Sequence, residues 1–513
     1  MADEVIERPA RPEGGLAELR RQRLVNLQTM RDQGVEPYAL NYDRTHSVAA
    51  ARADFQRAGD APDARTGPVR LAGRVTRHRP QGKVGFADLA DESGQIQLMA
   101  RADTLGEAGH ALFKMVDLGD IVGAEGHVIR SRSGEVTLEL TGLQMLTKAL
   151  RPLPDKWHGL KDPELRFRQR HIDLIVNPDS RRMLAVRSRT ITALRRFLDG
   201  RGFQEVETPM LHRVAGGAAA RPFLTHHNTL DLDLKLRIAV ELHHKRLLIG
   251  GLERIYEIGR AFRNEGIDAQ HNPEFTILEA YQAYSDLEGM AELTESLVKA
   301  AAAEVLGDGA VEHQHQGQTI DLAAPWVRAE MLDLIHEKNP GLDLADDEQL
   351  RAHASDLGAV PRARDWGELI YEIFERSVEK TLVQPTLVMG FPVSVSPLAR
   401  RRRDDPRLAE RFELFIAGGE YANAFSELTD PLDQRSRFEQ QLQAQAAGDE
   451  ETHPMDEDFI AALEQGMPPA GGVGMGVDRL VMLLAGAAHI REVLAFPLMR
   501  DRPTAPADCP EEA

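Results

Sequence analysis

The sequence of 513 residues lacks several features that define other classes of protein. Its only cysteine, Cys509, excludes both an intrachain disulfide and a zinc site built from cysteines. It contains no run of about 18 apolar residues, which argues against a membrane span. The first residues, Met1 to Glu4, show neither the basic nor the apolar region of a secretory signal. We therefore expect a cytoplasmic protein that does not enter a membrane.

The chain also lacks an excess of positive charge, since 81 acidic residues outnumber 62 lysines and arginines and the formal net charge is -19. This balance argues against a protein whose whole surface binds nucleic acid, although it allows a local basic face. The composition, 42% hydrophobic and 28% charged, is typical of a globular protein with a large core. The length allows two or three domains.

Shifts in composition divide the chain into five segments. Residues 149–165 contain Pro152, Pro154 and Pro163 and are predicted to be a linker. The predicted segments are a disordered lead-in (1–15), an N-terminal helix and small β-domain (16–148), the linker (149–165), a large domain (166–500) and a tail (501–513).

The region 68–148 contains five short strand candidates broken by Gly, Asp and Ser, with a helical stretch near 105–113. This pattern predicts an OB-fold barrel. Arg79 and other basic residues lie close in sequence to Phe86, and a cationic surface beside an exposed ring suits unpaired bases. Alternatively, Phe86 belongs to the barrel core. The basic side of the helix that starts at Leu16 could likewise meet RNA phosphates or only solvent.

The stretch 256–284 reads as a strand, a polar loop and a second strand. Side chains alternate along a strand, so Glu257, Arg263 and Glu265 share a face if the first strand extends that far. Phe275, Glu279 and Tyr281 share a parity on the second strand. If both sets face one cleft, the pocket would suit a nucleotide together with an amine. The alternative is a charged, solvated hairpin.

Two later stretches carry acids and glycines. Residues 412–416 and 420–427 predict a hairpin joined at Gly418 and Gly419. Glu413 and Glu420 would offer hard oxygen ligands for Mg²⁺ if the turn register brings them together, and would otherwise be surface acids. In 471–480, glycines alternate at strand period and leave one face bare.

Several of these stretches resemble the motifs of one enzyme family. Residues 262–266 (FRNEG) and 271–276 (HNPEFT) resemble motif 2 of the class II aminoacyl-tRNA synthetases, in the bacterial lysyl form of subclass IIb. The helix predicted over 180–198 and the strand 202–209 resemble motif 1, and 471–480 resembles motif 3. Residues 82–98 are similar to the anticodon-binding barrel of the same group. The resemblance implies an α+β fold, with an N-terminal OB-fold β-barrel and a catalytic domain built on an antiparallel β-sheet flanked by helices.

The resemblance also implies a reaction and its partners. These are ATP-dependent activation of L-lysine to lysyl-adenylate, transfer to the 3'-terminal adenosine of tRNA(Lys), Mg²⁺ bound with ATP, and a homodimer formed through motif 1. No zinc is expected, because the adjacent histidines at 226–227 and 243–244 would point apart in a strand.

Matching positions supply the expected site residues. The catalytic arginines are Arg263 and Arg479. The ATP contacts are these two together with Glu265, His271, Phe275, Glu413 and Glu420, of which Glu413 and Glu420 carry the metal. The lysine contacts are Gly217, Glu241, Arg263, Glu279, Tyr281, Asn423 and Glu427. The anticodon contacts are Arg79, Phe86 and Gln97. The chain departs from the usual pattern at Val240, His243, Ala422 and Ala424, which puts the shape of the lysine pocket in question.

Three other functions share parts of this pattern. Aspartyl and asparaginyl synthetases have the same motifs but need a cationic side-chain pocket, whereas Glu241, Glu279 and Glu427 would make this one anionic. A lysyltransferase acting on elongation factor P would lack the barrel. A non-catalytic RNA-binding relative would be expected to lose Arg263, Arg479 or a metal-binding acid.

Overall fold

The computed structural model describes residues 15–59, 64–80, 82–153, 160–218, 220–307, 312–358, 365–446 and 454–501. The chain divides into two compact units, Met1–Gly159 and Leu160–Ala513. The predicted lead-in, part of the predicted linker, and the tail with Cys509 lie outside the described residues apart from Gly15 and Asp501.

The first unit is built around a closed barrel of five strands in the order β1-β2-β3-β5-β4. Its elements are α1 (Leu16–Asp32), α2 (Val48–Arg57), β1 (Val69–Arg79), β2 (Val84–Ala90), β3 (Gln95–Arg101), α3 (Ala102–Met115), β4 (Ile121–Arg130) and β5 (Val136–Thr147). Alternation fixes the core: Ile96, Leu98 and Ala100 are buried inside the barrel, while the residues between them face outward. The predicted barrel with an inserted helix is confirmed.

The second unit contains twelve α-helices and thirteen strands within the described residues. The helices are α4 (Pro163–Arg168), α5 (Arg170–Val176), α6 (Pro178–Gly200), α7 (Glu241–Ile249), α8 (Leu287–Leu306), α9 (Met331–Lys338), α10 (Asp347–Asp356), α11 (Trp366–Ser377), α12 (Pro431–Ala446), α13 (Glu457–Leu463), α14 (Val477–Ala485) and α15 (Ile490–Val493). The strands are β6 (Gln204–Glu205), β7 (Leu211–His212), β8 (Leu224–His227), β9 (Leu232–Leu236), β10 (Arg254–Phe262), β11 (Glu274–Ala283), β12 (Glu312–His315), β13 (Gln318–Asp321), β14 (Val327–Glu330), β15 (Thr386–Met389), β16 (Arg411–Ile416), β17 (Gly419–Ser426) and β18 (Ala470–Gly476).

An eight-stranded sheet in the order β14-β15-β16-β17-β18-β11-β10-β6 organises this unit. Only the outermost pairs, β14 with β15 and β10 with β6, are parallel. One face of the sheet packs on α6, α8 and α14, and alternate strand residues such as Leu278, Val473 and Met475 enter that core. The predicted antiparallel sheet flanked by helices is therefore confirmed, and the opposite face is left for other side chains.

The structure corrects three details. Strand β10 ends at Phe262, so Arg263 and Glu265 lie in the following loop rather than on the strand. The condition for Arg263 and Glu265 to share a strand face with Glu257 is therefore not met, because the chain leaves the sheet at Arg263. The hairpin turn is at Ala417 and Gly418, both with positive φ, one residue before the predicted pair. The strand of the motif 1 region has two residues only.

No described helix combines the length and the apolar character that crossing a membrane would require.

Candidate functional site

A single transverse row of side chains crosses the sheet on the face opposite the helical core. In succession across β10, β11, β18, β17 and β16, the register partners are Glu257, Glu279, Gly474, Asn423 and Glu413. Register partners in an antiparallel sheet point to the same face. Strand pairing therefore places the candidate residues of three distant sequence segments side by side.

The glycines of β18 form the floor of this face. A Cβ atom on Gly472 would lie 2.2 Å from Glu427 Oε1 and 2.5 Å from a ring carbon of Tyr281. A Cβ atom on Gly474 would lie 3.7 Å from Glu279 Cγ. Only glycine allows the acid and the phenol to approach the strand at Gly472 this closely.

Four of the predicted lysine contacts form a buried acid cluster, consisting of Glu241, Glu279, Tyr281 and Glu427. The Tyr281 hydroxyl donates to Glu279 Oε2 at 2.9 Å, and the backbone N–H of Val240 donates to Glu279 Oε1 at 3.3 Å. The ammonium of Lys245 lies 2.7 Å from Glu241 Oε1 and 2.6 Å from Glu427 Oε2. The cluster thus joins α7 to β11 and to the end of β17.

Burial sets the protonation of this cluster. It raises the pKa of Glu241, and it raises the pKa of Glu427 to about 8, while the Lys245 ammonium opposes the shift in both. Burial and the neighbouring carboxylates also hold the pKa of Tyr281 well above its usual range. A second ammonium entering the pocket would therefore favour the ionised form of both acids.

The glycine-containing loop lies against this cluster. Gly217 has φ +91°, and a Cβ atom there would lie 3.1 Å from Glu241 Cβ and 3.2 Å from Ala239 Cβ. The absence of a side chain at Gly217 therefore keeps the approach to Glu241 narrow but open.

Arg263 borders the acid cluster, directly after β10. Its guanidinium carbon lies 5.1 Å from the ring centre of Phe275, and its Nε is buried with no hydrogen-bond partner among the described residues. Burial lowers the pKa of Arg263, and the negative charges of Glu265, Glu420 and Glu279 oppose that shift. Glu265 itself is exposed in the loop. The guanidinium is thus held ready for an anion between the acid cluster and the loop.

The two predicted metal-binding acids lie on the same face because of a β-bulge. The register of β16 and β17 shifts between Leu414 and Phe415, so Glu413 pairs with Asn423 and Phe415 pairs with Glu420. Tyr421 is the extra residue, and its side chain is buried in the helical core. Burial, together with the charge of Glu420, raises the pKa of Glu413 to about 8.

Arginines contact both acids. Arg411 Nη2 donates to Glu413 Oε1 at 2.5 Å, and its Nε donates to Asn423 Oδ1 at 3.0 Å. Arg479 Nη1 donates to the carbonyl of Glu420 at 2.7 Å, and its Nη2 lies 3.0 Å from His271 Nε2. The site therefore alternates positive and negative groups along its length.

Glu257 does not belong to the open pocket. Its carboxylate is buried and accepts hydrogen bonds from Arg237 at 2.5 Å and from the backbone and hydroxyl of Thr208, and it lies 3.2 Å from His244 Nε2. The hydrogen bond from His244 is the largest of several contacts that lower the pKa of Glu257 against the effect of burial. This network supports the wall behind the acid cluster, where His244 also packs edge-on against Tyr281.

Sequence reasoning missed Lys245 and Arg411. Lys245 stands four residues after Glu241, a spacing that pairs side chains on a helix and could have identified it. Arg411 stands two residues before Glu413 on β16 and so shares its face.

The predicted anticodon contacts lie on the outer face of the barrel. Phe86 is half-buried and is the register partner of Arg79 on β1 and of Met99 on β3, while its neighbour Ala87 enters the core. The alternative of a core phenylalanine is wrong. Gln97 Oε1 accepts a hydrogen bond from Thr137 at 3.0 Å, on the same face. A half-buried ring, a cation and an amide therefore share one face of the barrel.

Comparison with known proteins agrees with this geometry. Residues 162–500 match the family model of tRNA synthetases class II (D, K and N), and residues 69–146 match that of the OB-fold nucleic acid binding domain. The chain is 52% identical over 491 residues to a lysine--tRNA ligase of Carboxydothermus hydrogenoformans, an alignment covering 95% of this chain and 99% of that protein. It is 50% identical over 483 residues to a lysine--tRNA ligase of Bacillus subtilis, covering 93% and 96%. With these matches over both units, the chain belongs to the lysine--tRNA ligase family of class II tRNA synthetases.

Proposed function

We propose that the protein activates L-lysine with ATP to lysyl-adenylate and transfers the lysyl group to the 3'-terminal adenosine of tRNA(Lys). The observation that carries this proposal is the buried acid cluster of Glu241, Glu279 and Glu427 on the sheet face that also borders Arg263. Carboxylates in a dry pocket select an amine, and the N–H groups of a neighbouring guanidinium bind phosphate oxygens.

The first step needs no nucleophile from the protein. A lysine carboxylate oxygen attacks the α-phosphorus of ATP, the new O–P bond forms, the bond to the bridging oxygen breaks, and pyrophosphate leaves. Arg263 would hold the α-phosphate and the attacking carboxylate together, Asn423 would orient that carboxylate, and Arg479 would bind the far phosphate. Catalysis then consists of positioning and of neutralising charge at phosphorus.

The remaining ATP contacts follow from the loop after β10. Glu265 and His271 would line the loop that covers the nucleotide, and the ring of Phe275 would stack on adenine. His271 is already tied to Arg479 and, through its Nδ1, to Asp268 at 2.8 Å. This arrangement would fix the loop around the triphosphate.

Glu413 and Glu420 fit the Mg²⁺ that accompanies ATP. They are two carboxylates on one face, and the pKa of Glu413 is raised by burial and further by the charge of Glu420, against the effect of Arg411. A cation between the two acids would relieve their mutual repulsion. Magnesium is commonly held by one or two carboxylates together with substrate phosphates, so further protein ligands are unnecessary. When bound, Mg²⁺ would supply charge neutralisation on the phosphate oxygens.

Lysine would be selected by charge and by shape. Glu241, beside Gly217, would face the α-amine, while Glu279, Tyr281 and Glu427 would surround the ε-amine. A neutral or anionic amino acid would place no cation beside Glu279 or beside the unpartnered Oε1 of Glu427, which is costly. An aspartyl or asparaginyl site would instead require a cationic pocket at this position.

The remaining assignments concern the partners and the context. The outer face with Arg79, Phe86 and Gln97 would bind the anticodon of tRNA(Lys), because rings and cations hold unpaired bases. The motif 1 region, α6 with β6, would form a homodimer interface, and the protein would act in the cytoplasm. We also retain the domain division 16–148 and 166–500 as part of the proposal.

Exchange of pyrophosphate with ATP, measured with each of the twenty amino acids in turn, tests this proposal. We expect exchange with L-lysine and ATP in the presence of Mg²⁺, followed by charging of tRNA(Lys). Exchange with aspartate or asparagine, or with no amino acid at all, would contradict the proposal. Adenylate formation without charging of any tRNA would favour a lysyltransferase acting on a protein.

A further inference from the structure

A fully buried lysine lies inside the acid cluster. Lys245 follows Glu241 by one turn of α7, and its Nζ lies 2.7 Å from Glu241 Oε1 and 2.6 Å from Glu427 Oε2. The same atom is 3.4 Å from the carbonyl oxygen of Leu398 and 5.3 Å from the ring centre of Phe425. The ammonium therefore links a helix, the end of a strand and a loop at one point.

The coordination of Lys245 shows what it can do. A lysine ammonium has three N–H donors and no acceptor, and here it faces three oxygen acceptors. Two carboxylates already lie within 2.7 Å of its Nζ, so its charge is matched before a substrate binds, and a charged ammonium cannot act as a base. Its effect must therefore be exerted on the two carboxylates.

Those carboxylates are difficult to keep charged. Glu241 and Glu427 are buried beside Glu279, and the pKa of both is raised by burial and lowered by Lys245. Other charged or titratable groups also face the pocket. They are Tyr281 on β11, Arg411 on β16, His244 on α7, which packs against Tyr281, and Arg263 after β10, which interacts with Glu279. Without the Lys245 ammonium, both acids would bind protons more strongly and would lose their attraction for an amine.

We propose that Lys245 is a positioning and specificity-determining residue, whose ammonium fixes Glu241 and Glu427 in place and favours their charged form. The inference rests on the proposed lysine activation and adds a residue to it. Glu427 Oε1 is buried and, within the described part of the chain, has no hydrogen-bond partner. That oxygen, beside the bare Cα of Gly472, is the acceptor left for the ε-ammonium of free lysine.

The variant Lys245→Met tests this role, because it removes the charge and keeps a long apolar side chain. The matched control is Lys299→Met on α8, where Lys299 Nζ also lies 2.7 Å from a glutamate four residues earlier, Glu295, but is partly exposed. In pyrophosphate exchange at pH 7, we expect the KM for lysine to rise at least about 30-fold in Lys245→Met. The KM for ATP of Lys245→Met should stay at the wild-type value. The control should keep the wild-type KM for lysine and for ATP, although it also loses the hydrogen bonds from Lys299 to the carbonyls of Ala323 and Ala324.

The pH profile separates positioning from simple support of the fold. In the wild-type protein, lysine binding should release a proton from the acid cluster, so the KM for lysine should fall as pH rises and level off near pH 8, the value to which burial raises the pKa of Glu427. In Lys245→Met the pH at which KM levels off should be higher by about one unit or more, because the cation that opposes the shift is gone. The double variant Lys245→Met, Glu427→Gln should lose much less than the product of the two single losses, because both act on the same carboxylate.

Each outcome is decisive. Exchange that depends on lysine in the wild-type protein, but with an unchanged KM or an unchanged pH profile in Lys245→Met, overturns the inference and leaves the proposed function intact. Absence of lysine-dependent exchange in the wild-type protein overturns the proposed function itself. If Lys245→Met does not fold, Lys245→Gln replaces it, and failure of both to fold would show that Lys245 is only a structural residue.

Discussion

The close approach of Glu427 and Tyr281 to Gly472 makes Gly472→Ala a sharp test of the lysine pocket. The new Cβ atom would lie 2.2 Å from Glu427 Oε1 and 2.5 Å and 2.7 Å from two ring carbons of Tyr281. A carboxylate oxygen can normally move aside, but Glu427 is held 2.6 Å from Lys245, and the Tyr281 ring is buried. The methyl group must therefore displace the acid, the ring or the strand.

The magnitude follows from these contacts. Overpacking of this kind costs about 1–3 kcal/mol of the free energy of unfolding. Moving Glu427 by about 1 Å should also reduce kcat/KM for lysine by about 100-fold, because substrate-positioning groups are that sensitive to displacement. The expected signature is a lower thermal unfolding temperature together with a raised KM for lysine.

The next glycine on the same face serves as the control for stability. A Cβ atom on Gly474 would meet Glu279 Cγ at 3.7 Å and the Asn423 carbonyl at 3.9 Å, which are ordinary contacts. Gly474→Ala should therefore keep the unfolding temperature of the wild-type protein, measured by calorimetry on both variants. A Gly472→Ala protein with wild-type stability and a wild-type KM for lysine would refute the reasoning.

Three further predictions follow from other residues. In pyrophosphate exchange, Glu427→Gln should lower kcat/KM for lysine by an amount equivalent to about 2 kcal/mol or more of transition-state free energy, while the KM for ATP is unchanged. Equal lysine dependence in the variant and the wild type would show that Glu427 does not bind lysine. Phe86→Ala should raise the KM for tRNA(Lys) in aminoacylation without changing pyrophosphate exchange, and a fall in both would place the ring elsewhere in the mechanism. Burial lowers the pKa of His243 to about 4, from an ordinary 6.5, so the unfolded chain binds the proton first. The free energy of unfolding should therefore fall by about 1 kcal/mol, after allowance for solvent screening, as pH is lowered from 6.5 towards 4, and His243→Phe should remove this loss in urea titrations.

The antiparallel sheet and the barrel strands could be predicted from the sequence, because each strand is marked by residues within or next to it. Alternating glycines in 471–476 predicted a strand with one bare face, and β18 has this face against Tyr281 and Glu427. The turn signals of the barrel likewise separated β1 to β5. Both features depend only on residues that are close together in the sequence.

Other features depend on pairing across the sheet and could not be predicted. The sequence does not decide whether Glu413 and Glu420 share a face, because it does not fix the register of the turn. Regular alternation from the pair of Glu413 with Asn423 would place the two acids on opposite faces. The shift in register at Phe415 places them on the same face, and no residue type in the hairpin predicts that shift. For Lys245 the spacing predicts only a pair with Glu241 on one helix. Its burial could not be predicted, because a lysine on a helix is usually at the surface and only the packing of α7 against the sheet buries it.

The bulge at Tyr421 has a practical consequence for anyone who redesigns this enzyme. Shifting the register so that Phe415 pairs with Tyr421 would give the hairpin an uninterrupted ladder and a more regular pleat, as idealised backbones have. The same shift would turn Glu420 to the other face of the sheet and separate its carboxylate from that of Glu413. An idealised version of this hairpin should therefore gain regularity and lose magnesium-dependent turnover.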